Sequence, residues 1–170
     1  FPFPGVDSPA GALATSVAVD SDRSVWVSSW DAGLWRLDPA TERLDRHPFQ
    51  QLPAGAATEK IVTTLLDRQG NVWVGTWGGG LGRVSPGSRR VRTLSFSAEG
   101  DVPDPDVTTI FEDETGTLWL GDAKNGVFRV EGNRATRIGT LPGTPLGMRV
   151  DARGDLWVGS TAGLFRFDRT

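Results

Sequence analysis

This sequence is short of several residue types, and each shortage excludes something. Cysteine is absent, which removes disulfides and thiol chemistry and leaves the redox compartment open. Histidine occurs once, at His47, so no histidine cluster is available to bind zinc. No apolar run has the length of a membrane-crossing helix. Positive charge is not in excess either. The formal net charge is −3 at pH 7, whereas nucleic-acid binders carry a basic stripe. Neither nucleic acid nor direct membrane insertion is therefore expected. The opening residues, "FPFPGVDSPAG", contain no basic n-region or apolar h-region of a secretory signal, a start that a processed chain would share. No cofactor motif stands out. "GTWGGGLGR" at 75–83 has the glycines of a dinucleotide fingerprint, but a strand follows it where that motif needs a helix.

What is present is an ordinary folded composition of 170 residues, 38% hydrophobic and 23% charged, enough for one domain with a core. Two excesses need explaining: 22 glycines, and seven tryptophans with no tyrosine. Both fall into a repeat. Asp20, Asp67, Asp113 and Asp151 each stand six residues before a tryptophan, at Trp26, Trp73, Trp119 and Trp157. The copies read "DSDRSVWVSSWDAGLWR", "DRQGNVWVGTWGGGLGR", "DETGTLWLGDAKNGVFR" and "DARGDLWVGSTAGLFR".

Each copy reads as short strands separated by turns. An extended segment precedes the Asp ("TSVAV", "IVTTLL", "VTTIFE", "LGMRV"), and a tight glycine-bearing turn follows it. The triplet "VWV" or "LWL" is apolar on both faces, as a strand held between two sheets must be. A loop then leads to a third strand such as "GLWRLD", and "RLDRHPF", "RVRTLSF" and "RATRIG" read as fourth strands. No helical period appears. The expected fold is all-β: about four four-stranded antiparallel sheets arranged as propeller blades. The blades are placed at about 14–49, 61–96, 107–139 and 145–170, with 1–13 as the tail of a preceding outer strand, all within one domain over 1–170. Ser16, Thr63, Thr109 and Gly147 are expected to fill one crowded position on the inner strands. The repeated Asp and the repeated arginines Arg36, Arg83, Arg129 and Arg166 are expected to satisfy turn backbone or to pair between strands.

The four copies resemble the two-component regulator propeller repeat, whose core reads like "D-x-x-G-x-[LV]-W-[VL]-G-[TS]-x-x-G-[LV]-x-R". Copies two and four fit best. Copy one departs, with Ser24 and Ser28 read at glycine positions, and copy three departs at Asp122 and Lys124. Streptogramin-lyase-like propellers share the Trp-Val-Gly strand. The resemblance implies a seven-bladed propeller in the periplasmic or extracellular sensor part of a bacterial hybrid histidine kinase, with no catalytic residues of its own. Seven blades need roughly 300 residues. Three arrangements fit the shorter chain: a piece of a larger propeller, a half-ring completed by self-association, or four blades closed on themselves with "FPF" completing the last.

Propeller ligands meet the loops at one end of the blades. Here those loops read "SSWDAG", "GTWGGG", "GDAKNG" and "GSTAG". Trp30 and Trp77 share one position in successive copies but lie outside the four-fold pattern, so the repeat does not require them. Two aromatics on a rim suit stacking against a small molecule or glycan, with Asp31, Asp122, Lys124 and Asn125 as polar partners. Filling gaps between loops is the alternative role. Asp101, Asp104 and Asp106 supply oxygens suited to a hard cation, but their spacing matches no calcium loop, and a solvated acidic turn is expected. No metal site, cofactor or catalytic residue is assigned. A propeller lyase and a protein-binding scaffold remain the alternative functions.

Overall fold

The computed structural model describes residues 13–50, 60–94, 106–124, 126–132 and 134–168. Among these residues it holds fifteen strands and no helix. The strands are β1 (Ala14–Val19), β2 (Val25–Ser29), β3 (Gly33–Asp38), β4 (Arg43–His47), β5 (Ile61–Leu66), β6 (Val72–Thr76), β7 (Leu81–Val84), β8 (Arg92–Leu94), β9 (Val107–Glu112), β10 (Leu118–Asp122), β11 (Gly126–Glu131), β12 (Arg134–Gly139), β13 (Pro145–Val150), β14 (Leu156–Ser160) and β15 (Gly163–Phe167). Consecutive strands pair antiparallel into four sheets: β1–β4, β5–β8, β9–β12 and β13–β15, the last with three described strands.

The repeated Asp builds the turn in copies two to four; in copy one the Ser24 amide donates to Asp22 Oδ1 instead, while the Trp26 indole N–H still donates to Asp20 Oδ2 at 3.3 Å. Asp67 Oδ1 accepts the amides of Gln69 (2.9 Å) and Asn71 (2.7 Å), while Oδ2 accepts the Trp73 indole N–H at 2.7 Å. Asp113 and Asp151 repeat this, with indole contacts of 3.0 Å from Trp119 and 2.9 Å from Trp157. One carboxylate thus closes the hairpin and fixes the rotamer of the tryptophan six residues on. These bonds favour the charged form. The Trp157 indole and the amides of Asp155 and Arg153 hold the Asp151 carboxyl below its ordinary range. At Asp113 burial pushes the other way, but the bonds from Thr115 and Trp119 outweigh it, and the net shift is downward.

The third residue after each Asp turns through positive φ: Gly70 at 79°, Gly116 at 84° and Gly154 at 91°. In the first sheet that position is Arg23, at φ 70°. The glycine position of copy one, read from sequence as Ser24, is therefore Arg23; Ser24 aligns with Asn71. A left-handed non-glycine residue costs about 1–2 kcal/mol, partly offset by the extra freedom glycine loses on folding, about 0.5–1 kcal/mol. Arg23→Gly is expected to stabilise the chain by about 0.5 kcal/mol, read as a small rise in melting temperature.

The tryptophans point to one side of their sheets and the flanking aliphatics to the other, so every junction has the same polarity. Trp26 and Leu34 of the first sheet pack with Val72 and Val74 of the second. Trp73 and Leu81 of the second pack with Leu118 and Leu120 of the third. Trp119 and Val127 of the third pack with Leu156 and Val158 of the fourth. The repeated arginine pairs directly across from each tryptophan, as in Trp26↔Arg36 and Trp73↔Arg83. In the first two sheets its guanidinium lies 5.5 Å from the indole centroid, a cation–π contact that the spacing alone did not suggest.

The inner strands stand side by side, β1 against β5, β5 against β9 and β9 against β13. Thr63 pairs with Gly75 and Thr109 with Gly121, where a Cβ on either glycine would meet atoms within 2.7 Å, so small residues meet at a crowded position there. Gly147 pairs with Gly159 in the fourth sheet, but a Cβ on Gly147 would meet nothing within 4 Å. Among the described residues β13 makes no comparable approach to β1. The four sheets form an open arc of a propeller, not a ring closed on itself. The "FPF" segment lies outside the described residues.

Candidate functional site

The loops β2–β3, β6–β7, β10–β11 and β14–β15 lie on one rim, and each is anchored by the same backbone bond. The amides of Trp30, Trp77, Ala123 and Thr161 donate to the carbonyls of Leu13, Lys60, Asp106 and Thr144 at 2.9–3.0 Å. This anchoring gives Trp30 and Trp77 matching places on adjacent blades, and the structure brings them together. Their ring centroids are 6.1 Å apart with planes tilted by 52°, a favourable geometry for an aromatic pair. Lys60 Nζ sits 5.4 Å from the Trp30 ring. Trp77 is 42% exposed, well above the tryptophans of the junctions. Asp31 is exposed beside Trp30, its amide donating to Ser29 Oγ at 3.3 Å.

The third blade continues the rim through a residue that sequence reasoning misjudged. Asp106 was expected in a solvated acidic turn. Instead it is 1% exposed. Its Oδ1 accepts the amide of Gly78 at 2.7 Å, and its Oδ2 meets Lys124 Nζ at 2.7 Å. Asp106 thereby ties the Trp77 loop of one blade to the Lys124 loop of the next. The only sequence hint was its alignment with Lys60 and Leu13, at the start of an inner strand under the rim. Asp122 is also buried, and its Oδ1 accepts the Lys124 amide at 2.8 Å, so it shapes the loop from beneath. Trp30, Asp31, Trp77 and Lys124 thus reach the rim, Asp122 lies below it, and Asn125 is outside the described residues, as are Asp101 and Asp104. Among the described residues, no three acidic or histidine side chains converge in a way that could hold a metal ion.

Two clefts open between blades at the opposite end. One, of about 520 Å³, is lined by Asp20, Trp26, Arg36, His47 and Gln69; the other is lined by Glu112, Asp113, Trp119, Arg149 and Asp151. Both include the repeat's own Asp and Trp, joined by the repeated Arg36 in the first, beside residues of the neighbouring turns. His47 stacks edge-on against Trp26 with centroids 4.6 Å apart. Burial and the nearby Arg36 push its imidazole below the ordinary range, with Asp45 opposing.

A family model described as "Two component regulator propeller" matches residues 55–78 and 101–124. A search of curated proteins finds no match. Among solved structures, the chain is similar to the extracellular domain of a protein described as a one component system from B. thetaiotaomicron, at 18% identity and TM-score 0.77, covering 92% of this chain and 21% of that one. It is similar to the extracellular domain of a hybrid two component system from the same organism, at 20% identity and TM-score 0.71, covering 92% and 20%. It is also similar to catalytically inactive virginiamycin B lyase from Staphylococcus aureus with quinupristin, at 15% identity and TM-score 0.73, covering 95% and 54%. At such identities the likeness concerns the fold, and the chain spans about a fifth of the first two proteins. Among the described residues the matched segments include β5–β6 and β9–β10, and the Asp–Trp bond and Trp–Arg pairing recur in the first and fourth sheets; the chain is a run of β-propeller blades, two of which carry segments similar to the two component regulator propeller repeat.

Proposed function

We propose that this chain is a ligand-sensing blade segment of a bacterial signalling receptor, that it performs no chemistry itself, and that it works in the periplasm or outside the cell. The observation that carries the reading is the Trp30–Trp77 pair. It stands on the loop rim, outside every inter-blade core, with Trp77 partly exposed and Lys60 and Lys124 nearby. A packed aromatic surface with cations at its edge suits a small molecule or glycan that stacks through a flat or apolar face and offers hydroxyl or anionic groups alongside. The family match and the extracellular signalling domains among the structural neighbours support a sensor role.

The test is a thermal-shift screen of glycans and small molecules, followed by calorimetry on any compound that stabilises the chain. Trp77→Ala and Trp30→Ala are each expected to weaken binding about tenfold, corresponding to about 1.4 kcal/mol, with the fold intact. A ligand whose affinity survives both changes overturns the rim assignment. Turnover that survives His47→Ala but is lost with a rim carboxylate replaces sensing with an enzyme function. A stable protein complex without any small ligand replaces it with a scaffold.

A further inference from the structure

The two ends of the arc expose residues that every internal junction buries. Leu34, Leu81 and Val127 occupy one position of the third strand and are each 0% exposed, whereas their counterpart in the fourth sheet, Leu164, is 66% exposed. Trp157 is likewise only partly covered. Leu146 aligns with Thr15 and Thr108, which reach across to the next sheet and donate to the carbonyls of Ile61 (2.8 Å) and Pro145 (2.7 Å). Leu146 is 65% exposed, so this face also meets no described neighbour.

The first sheet shows the opposite half. Val17 aligns with Thr64, Ile110 and Met148, which are 8%, 8% and 2% exposed, yet Val17 is 63% exposed. Val19 is 64% exposed where Leu66 and Val150 pack against the preceding blade. Val25 and Val27 are half-buried where Val72 and Val74 are fully buried.

We propose that these faces are the two halves of one blade-to-blade joint, and that a second copy of this chain occupies them. The Trp157–Leu164–Leu146 face of one copy docks on the Val17–Val19–Val25–Val27 face of the other. The occupant follows from the three internal junctions, which show that a tryptophan face of this composition packs on an aliphatic-flank face of this composition. Every copy carries one of each, so a second copy presents the complement of both exposed patches. Apolar patches of this kind favour association. The joint is heterologous, with different surfaces meeting, so copies add head to tail until the arc closes. This inference rests on the fold and is independent of any ligand on the rim.

Sedimentation and light scattering on the purified chain, with Val17→Asp and Leu164→Asp variants, test it. Both residues are exposed in the single chain, so each variant is expected to keep the wild-type circular dichroism and tryptophan emission. The wild type is expected to associate at twice the mass of one chain, or as a longer head-to-tail series. Each variant alone is expected to be monomeric. Mixed in equal amounts, the two are expected to recover a dimer, because the intact fourth-sheet face of Val17→Asp meets the intact first-sheet face of Leu164→Asp. A wild-type chain that is monomeric at all concentrations overturns the proposal. So does association lost in one variant and kept in the other, which would mean like faces pairing, and so does a mixture that stays monomeric.

Discussion

Trp73→Ala is expected to destabilise the chain by about 3–5 kcal/mol, the range for removing a large aromatic from a core. Three effects combine. The indole is 5% exposed and packs into the junction core among Ile110, Leu118, Leu120 and Phe128 of the next blade. Its N–H satisfies Asp67 Oδ2, and Asp67 is itself buried, so truncation takes a partner from a buried carboxylate. The Arg83 guanidinium loses the ring it lies over. The control is Trp157→Ala, which carries the same bond to its Asp but stands at the open end of the arc. In the Leu164→Asp background, where the end face is free, it is expected to cost on the order of 1 kcal/mol. Urea unfolding followed by far-UV circular dichroism checks both. Equal losses at the two sites would contradict the assignment of Trp157 to an uncovered face.

Gly75→Ala is the second large effect. A Cβ at Gly75 would lie 2.7 Å from the Val107 carbonyl oxygen, 2.7 Å from Thr63 Cγ2 and 2.8 Å from Val107 Cγ1. Two of these belong to the inner strand of the next blade, and one is backbone, which cannot swing aside. Overpacking of this kind costs about 1–3 kcal/mol. Gly159 occupies the same place in "WVGS", yet its nearest neighbour for a Cβ is the Gly147 carbonyl at 3.9 Å. Gly159→Ala is therefore expected to be within about 0.5 kcal/mol of the wild type. The pair of thermal melts separates a glycine demanded by the neighbouring blade from one kept only by the repeat.

These contrasts show what a repeat sequence encodes. The strand order, the Asp-to-Trp spacing and the two apolar faces of the middle strand were legible, because each is set within about twenty consecutive residues by hairpin geometry and side-chain alternation. The left-handed residue of the first turn was assigned one place late, since Arg23 offers none of glycine's signal there. The difference between Leu34 and Leu164, or between Gly75 and Gly159, was not legible at all. Identical motifs specify identical blades, while burial depends on which blade stands next to each. On the rim, the shared position of Trp30 and Trp77 was visible by alignment. Their contact was not, and neither was the Asp106 link between Gly78 and Lys124, which joins residues 28 and 18 positions apart in sequence.

The constant orientation of the tryptophan face makes each sheet a plug on one side and a socket on the other. A gene encoding such a chain can gain a unit by tandem duplication without inventing a new surface, because the inserted unit fits both of its neighbours at once. Length in this lineage is then limited by where the circle shuts, and rim loops such as those bearing Trp30 and Trp77 can diverge while the couplings beneath them stay the same.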